Sequence, residues 1–396
     1  MITKIPAYQF EDRRLRFFQK MDELNLKHFF IINPYSIYYL TGFSMIPTER
    51  PFILIFKEAE TNFFVPELEK QHVKEKVPYA HVQTYFEYPD EVHPIHHFAH
   101  FVKNDLRISG RIGAEAAGAR GIWGYQGPSF SDVLKKDIPI YPEIVTDMRI
   151  IKDNYEVECL REAARWGHLA HELLQKYTAV GENEIDISFK ASHEASKKMR
   201  EVLGSEYSPI GYGARPCGAG YRGQIGIYSA IPHALTRNAI FQKGDTLVTG
   251  ASGNVAGYLS ELERTMFLGE PNQKQRHYFS IMLKAQTRAF EELKPNTPLS
   301  KVDQTTRKVF KESGVFNLVQ HHTGHAIGLE AHERPFLDVG MSEIIKPGMV
   351  FTVEPGIYDH DVGGFRHSDT VIITEDGNEI ITGKYPRDLE SLIIEC

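Results

Sequence analysis

HHTGHAIGLEAHERP, residues 321–335, sets four histidines around two glycines, and VEPGIY, residues 353–358, follows it. In the second stretch a carboxylate, Glu354, interrupts an apolar run between Val353 and Pro355. A carboxylate on a buried strand is costly unless it is paired or ligated. In the first stretch His325 and His332 stand seven residues apart, without the i,i+4 spacing of a helical metal motif. To share a site they have to converge through the fold. Taken singly, GHAIG also reads as a tight glycine turn with His325 as a hydrogen-bonded structural histidine.

Working outward, polar residues gather at the edges of three more apolar segments. IYSAIPHALTRN (227–238) carries His233 and Arg237. GDTLVTGASGNVAGYLSELERTMFLGEP (244–271) carries Glu261, Glu263 and Arg264. GGFRHSDTVIITEDG (363–377) follows VEPGIY. Strands are expected at 245–250, 264–268, 349–353 and 370–374, and helices at 273–293 and 300–313. Ahead of them, Asp153 opens a long amphipathic helix ending near Val180-Gly181.

The first half has a different texture. Leu15, Phe18, Met21 and Leu24 recur at three-residue steps, which predicts an amphipathic helix over 12–26. HFFII, PFILIF and NFFVP read as short buried strands, and Asn33-Pro34 breaks the first of them before YSIYYLTGF. This alternation argues an α/β layer structure for roughly the first 140 residues. The 396 residues suggest two or three domains at roughly 150 residues each, and the change of texture places one joint near residue 150.

Composition removes some classes. The net charge of −7 disfavours a nucleic-acid partner. No apolar run approaches the ~20 residues of a membrane helix. The start carries no signal-like apolar segment, and three widely spaced cysteines suit a reducing compartment, so the cytoplasm is expected. Eighteen histidines leave ample material for acid/base or metal chemistry.

The order of motifs, a histidine, GY-x-x-E-x-x-RT, GHAIG-x-x-x-HE-x-P, VEPGIY and FR-x-x-D-T, resembles the pita-bread hydrolases: creatinase, prolidase, aminopeptidase P and methionine aminopeptidase. MRIIKDNYEVECLREAA resembles the entry to their catalytic domain, and INPYSIYYLTGF resembles their N-terminal domain. The resemblance implies an α+β chain. A creatinase/prolidase-type N-terminal domain over 1–148 would precede a catalytic domain over 149–396, with a curved antiparallel sheet and outer helices. It also implies a homodimer.

In the metallopeptidase members, five side chains hold two metal ions. Carried over one at a time, the first Asp falls on Gly250, the second on Glu261, the His on His325, the first Glu on Glu354 and the last Glu on Ser368. Two carboxylates are therefore missing, and the resemblance implies a degenerate site without a dinuclear centre. Glu261, His325 and Glu354 remain as a set for a single Mn, Co, Fe or Zn ion. Glu263, ahead of Arg264-Thr265, is similar to creatinase, whose resemblance makes His233 an acid/base and Glu263 and Glu354 the grip on a guanidinium.

The leading expectation is therefore a metal-independent, cofactor-free hydrolase of a C–N bond in a small cationic or zwitterionic substrate. That substrate would be a guanidino, amidino or amino-acid derivative, with His233, Glu263 and Glu354 catalytic and His325, His332, Glu261 and Arg237 binding it. One alternative is an Xaa-Pro dipeptidase or aminopeptidase with one divalent metal on Glu261, His325 and Glu354. Another is an inactive pseudo-peptidase that binds a small ligand or peptide.

Overall fold

The structure, a computed structural model, describes residues 2–118 and 125–396. The described residues form two compact units, one of Ile5–Met148 with Gly211–Gly213, the other chiefly of Arg149–Ile210 and Ala214–Cys396.

In the first unit, helix α1 (Ala7–Glu23) buries Arg13, Phe17 and Met21 and leaves Leu15 mostly exposed. The buried stripe thus follows i,i+4 steps from Arg13 rather than the three-residue steps from Leu15. Arg13 is tolerated inside because its guanidinium lies over the Tyr39 ring, 4.3 Å from the centroid. Five strands follow: β1 (His28–Ile31), β2 (Ile53–Lys57), β3 (Glu60–Pro66), β4 (His81–Tyr85) and β5 (Ile112–Ala114), in the order β4-β3-β2-β1-β5. Asn33-Pro34 starts a helix, α2 (Pro34–Thr41). Its cap is the Asn33 side chain, which accepts from the Tyr35 and Ser36 amides, and Gly42 ends it at φ 76°. Helices α3 (Lys70–Lys76), α4 (Pro94–His100) and α5 (Phe130–Leu134) complete the layers. Phe30, Phe64, Phe98 and Phe130 are among the side chains that fill one core. A short helix, α6 (Thr146–Arg149), spans the boundary between Met148 and Arg149.

The second unit opens with α7 (Asn154–Tyr177), started by a reciprocal capping box between Asp153 and Glu156. Helix α8 (Glu184–Leu203), which was not expected from the sequence, follows after the break expected at Val180-Gly181. The strands are β6 (Cys217–Gly220), β7 (Thr246–Val248), β8 (Gly250–Val255), β9 (Tyr258–Leu259), β10 (Leu262–Glu263) and β11 (Thr265–Leu268). After α9 (Gln273–Glu292) and α10 (Leu299–Glu312) come β12 (Gly324–Ala326), β13 (Glu333–Leu337), β14 (Val350–Val353), β15 (Gly356–Asp359), β16 (Gly363–Arg366) and β17 (Ser368–Ile373). An antiparallel sheet runs β13-β12-β14-β17-β10-β8-β6. Helices α7 and α8 pack on β8 and β6, and α9 and α10 pack on each other and on β14 and β13. Gly253 lets α7 come close, since a Cβ there would lie 2.5 Å from the Ala163 carbonyl.

A buried ion pair pins the sheet centre. Arg264 Nη2 lies 2.9 Å from Asp369 Oδ1, and both side chains are inaccessible. Gln286 and Thr382 donate to the same carboxylate, so its remaining lone pairs are satisfied. No helix among the described residues is long and apolar enough to cross a membrane.

Candidate active site

A strand centre, a strand end and a turn bring the chemistry together. His325 sits mid-strand on β12, whose close approach to β14 depends on Gly324, where a Cβ would stand 2.0 Å from the Thr352 carbonyl. The His325 amide donates to Thr352 Oγ1 at 3.1 Å, and its Nδ1 donates to the Ala326 carbonyl at 3.0 Å. That backbone bond fixes the ring and leaves Nε2 as the functional nitrogen. Nε2 lies 3.1 Å from Glu354 Oε1, at the end of β14. Glu261 joins from the turn between β9 and β10, its Oε1 accepting from Ser368 Oγ at 2.6 Å. Ligand atoms of Glu261, His325 and Glu354 all lie within 4.8 Å of one another.

The electrostatics of this trio are those of an anionic nest. Burial, with the neighbouring Glu354 and Glu263 carboxylates, pushes Glu261 up to about 7. Burial also opposes charge on Glu354, but its bond to His325 and the Arg366 guanidinium outweigh that and hold it below the ordinary carboxylate range. Burial likewise opposes a charged His325, and Glu354 and Glu261 outweigh it, raising that imidazole.

The remaining site residues divide. His332 stacks on His325, ring centroids 3.8 Å apart. Burial and the adjacent His325 lower its pKa, favouring the neutral form. His233 is exposed and lines a cavity of about 380 Å³ with Ile231, Pro232, Gln320, His321, His322, His325, His332, Glu354 and Arg366. Glu261 and Glu263 are not in that lining. Arg237 is not either: it is exposed, with its guanidinium 3.6 Å from the Tyr228 centroid.

Glu263 is buried and already engaged on both oxygens. Arg222 Nη2 donates to Oε1 at 2.6 Å and Arg366 Nε to Oε2 at 2.5 Å. Arg366 also donates to Tyr358 Oη at 3.0 Å and to the Pro232 carbonyl at 3.3 Å, next to His233. Tyr358 Oη in turn lies 2.7 Å from His321 Nε2. His321 Nδ1 donates to the His322 carbonyl, so Nε2 accepts from the tyrosine. Sequence reasoning gave no role to Arg366, Tyr358 or His321. All three lie inside or beside the quoted motifs, but only the fold shows that Arg366 joins Glu263, Tyr358, the Pro232 carbonyl and Gln224.

The family model described as metallopeptidase family M24 matches residues 158–375, more than half of the chain. The chain belongs to metallopeptidase family M24. A second model, the creatinase/prolidase N-terminal domain, matches residues 13–120. Over 373 residues this M24 member is 31% identical to an Xaa-Pro dipeptidase of Pyrococcus furiosus, covering 93% of this chain and 97% of the relative. Its fold is similar to that of the Xaa-Pro dipeptidase from Bacillus anthracis, with TM-score 0.78 and 25% identity over 97% of this chain and 99% of the other. It is also similar to the prolidase from Pyrococcus furiosus, with TM-score 0.73 and 28% identity over 92% and 98%. The pita-bread catalytic fold and the creatinase/prolidase-type N-terminal domain are therefore those expected from the motifs.

Two expectations are corrected. The amidinohydrolase reading fails because the near full-length relatives are Xaa-Pro dipeptidases and prolidases. Its physical basis fails too: the Glu263 carboxylate meant to grip a substrate guanidinium already holds two guanidinium groups of the chain itself. The metal-independent, cofactor-free reading fails because the family is one of metallopeptidases. The likeness to creatinase holds for the superfamily only.

The residues present fit one divalent ion. Two carboxylates and one imidazole with its Nε2 free of backbone bonds are a suitable donor set, and Glu261 is an acid strained by like charges. They do not fit a second ion. Gly250 offers no side chain, and Ser368 spends its hydroxyl on Glu261.

Proposed function

We propose that the chain cleaves Xaa-Pro dipeptides, with one divalent ion held by Glu261, His325 and Glu354. The observation that carries this reading is the convergence of those three donors beside a histidine-lined cavity of about 380 Å³, a volume suited to a small molecule. When bound, such an ion would polarise the scissile carbonyl and lower the pKa of a water.

The chain's own residues would do the rest. His233, exposed on the cavity wall, accepts a proton from the attacking water and returns one to the leaving nitrogen. His332, neutral and stacked, offers a ring N–H to a substrate oxygen. Arg366 positions rather than reacts, fixing the Pro232 carbonyl beside His233. Arg237 remains a candidate for a substrate's outer end.

In this reading residues 1–148 form the N-terminal domain and 149–396 the catalytic domain, which holds every residue named for the site. Free thiols at Cys159, Cys217 and Cys396 support a cytoplasmic setting. The resemblance to creatinase and prolidase supports a homodimer, which light scattering on the purified chain would test. Assays of Xaa-Pro dipeptides with chelated protein and with protein resupplied with Mn, Co or Zn test the activity. Metal-dependent turnover is expected, and failure with every metal across a broad Xaa-Pro panel overturns the reading.

A further inference from the structure

His322 belongs to the cavity wall, yet nothing above uses it. Its ring packs near Phe336, with centroids 5.7 Å apart. Its Nδ1 is buried without a hydrogen-bond partner. Its Nε2 is not enclosed in that way and makes no hydrogen bond among the described residues, and His322 is one of the residues lining the cavity. An orphaned buried N–H is rarer than an unfilled acceptor. The favoured tautomer therefore leaves Nδ1 bare and carries its proton on Nε2, the nitrogen that is not enclosed.

The rest of the wall has the same polarity. Gln320, His233 and His332 can donate, Arg366 is held by Glu263, Tyr358 and the Pro232 carbonyl, and the lining carboxylate, Glu354, is already paired with His325. His321 does not compete, since both its nitrogens are engaged. A donor-rich wall that includes the unpaired His322 imidazole suits an anionic group on the ligand.

We infer that His322 is a specificity-determining residue whose Nε2–H donates to the free carboxylate of a dipeptide substrate. The substrate's identity rests on the peptidase reading, while the preference for a carboxylate stands on the cavity wall itself. It selects dipeptides with a free C-terminus over the corresponding amides.

The test compares wild type, His322→Phe and His322→Gln with an Xaa-Pro dipeptide and its C-terminal amide. Phe keeps the contact with Phe336 and removes the donor, and Gln restores a donor. His322→Phe is expected to raise KM for the dipeptide about tenfold or more with little change in kcat, and to leave the amide unaffected. His322→Gln should recover most of that loss. Equal effects on acid and amide, or no effect on either, overturn the inference. A second readout needs no turnover: calorimetric binding of L-proline against L-prolinamide to the full-length protein. Wild type should prefer L-proline, and His322→Phe should lose that preference. If no Xaa-Pro peptide is cleaved, the peptidase reading falls and this binding comparison still decides the role of His322. Equal binding of the two probes by wild type overturns it.

Discussion

His332 lies stacked on His325, with ring centroids 3.8 Å and ring planes 21° apart. The contact ties an exposed loop residue to a buried strand residue of the site. What holds the loop in place is the next residue, Glu333, whose carboxylate pairs with the buried Arg149 and, at 3.0 Å, with Lys152 Nζ, and also accepts from the Glu330 amide. Arg149 and Lys152 thus meet a residue more than 180 positions away in one buried network next to His332.

Glu333→Gln should leave Arg149 and Lys152 buried beside a neutral amide. Breaking a buried pair on one side typically costs about 3–5 kcal/mol. Equilibrium unfolding in urea should show a loss in that range, and a variant as stable as wild type would show that this network does not anchor the fold.

The same group predicts an acid-sensitive component of stability. Burial would raise the Glu333 pKa, but Lys152 and Arg149 outweigh it and hold the group at about 2, against an ordinary value of 4.5. A depressed carboxylate stabilises the fold fully above its unfolded value, and the contribution disappears as pH falls from about 4.5 to about 2. The shift corresponds to on the order of 3 kcal/mol. The stability gap between wild type and Glu333→Gln should therefore narrow across that window. A gap that stays constant down to pH 2 contradicts the assignment.

Arg366→Lys keeps the charge and discards the planar fork that joins Glu263, Tyr358, Gln224 and the Pro232 carbonyl. The loop bearing His233 should lose its register. In steady-state assays kcat is expected to fall at least about tenfold with a smaller change in KM. Unchanged kcat would remove Arg366 from the positioning network.

Much of this was legible in the sequence, because local rules dominate where the chain is regular. The helix start at Asp153 and the strand at 349–353 follow from residue type and spacing. The order of motifs also named Glu261, His325 and Glu354 as one set, and the fold shows that they converge. The face of α1 was not legible, because a buried arginine stacked on Tyr39 breaks the apolar periodicity that sequence reading relies on. The occupation of Glu263 was not legible either. Its partners, Arg222 and Arg366, lie 41 and 103 residues away, and only the sheet brings them to one carboxylate. Without those partners Glu263 looked free to hold a cationic substrate, which led to the wrong chemistry.

Metal stoichiometry tests the central claim most directly. The full-length protein should be dialysed against Mn, Co or Zn, freed of excess ion, and measured by elemental analysis beside His325→Ala. The account predicts close to one divalent ion per wild-type chain and close to none in the variant. Two ions per chain, or one ion that survives loss of His325, would contradict it.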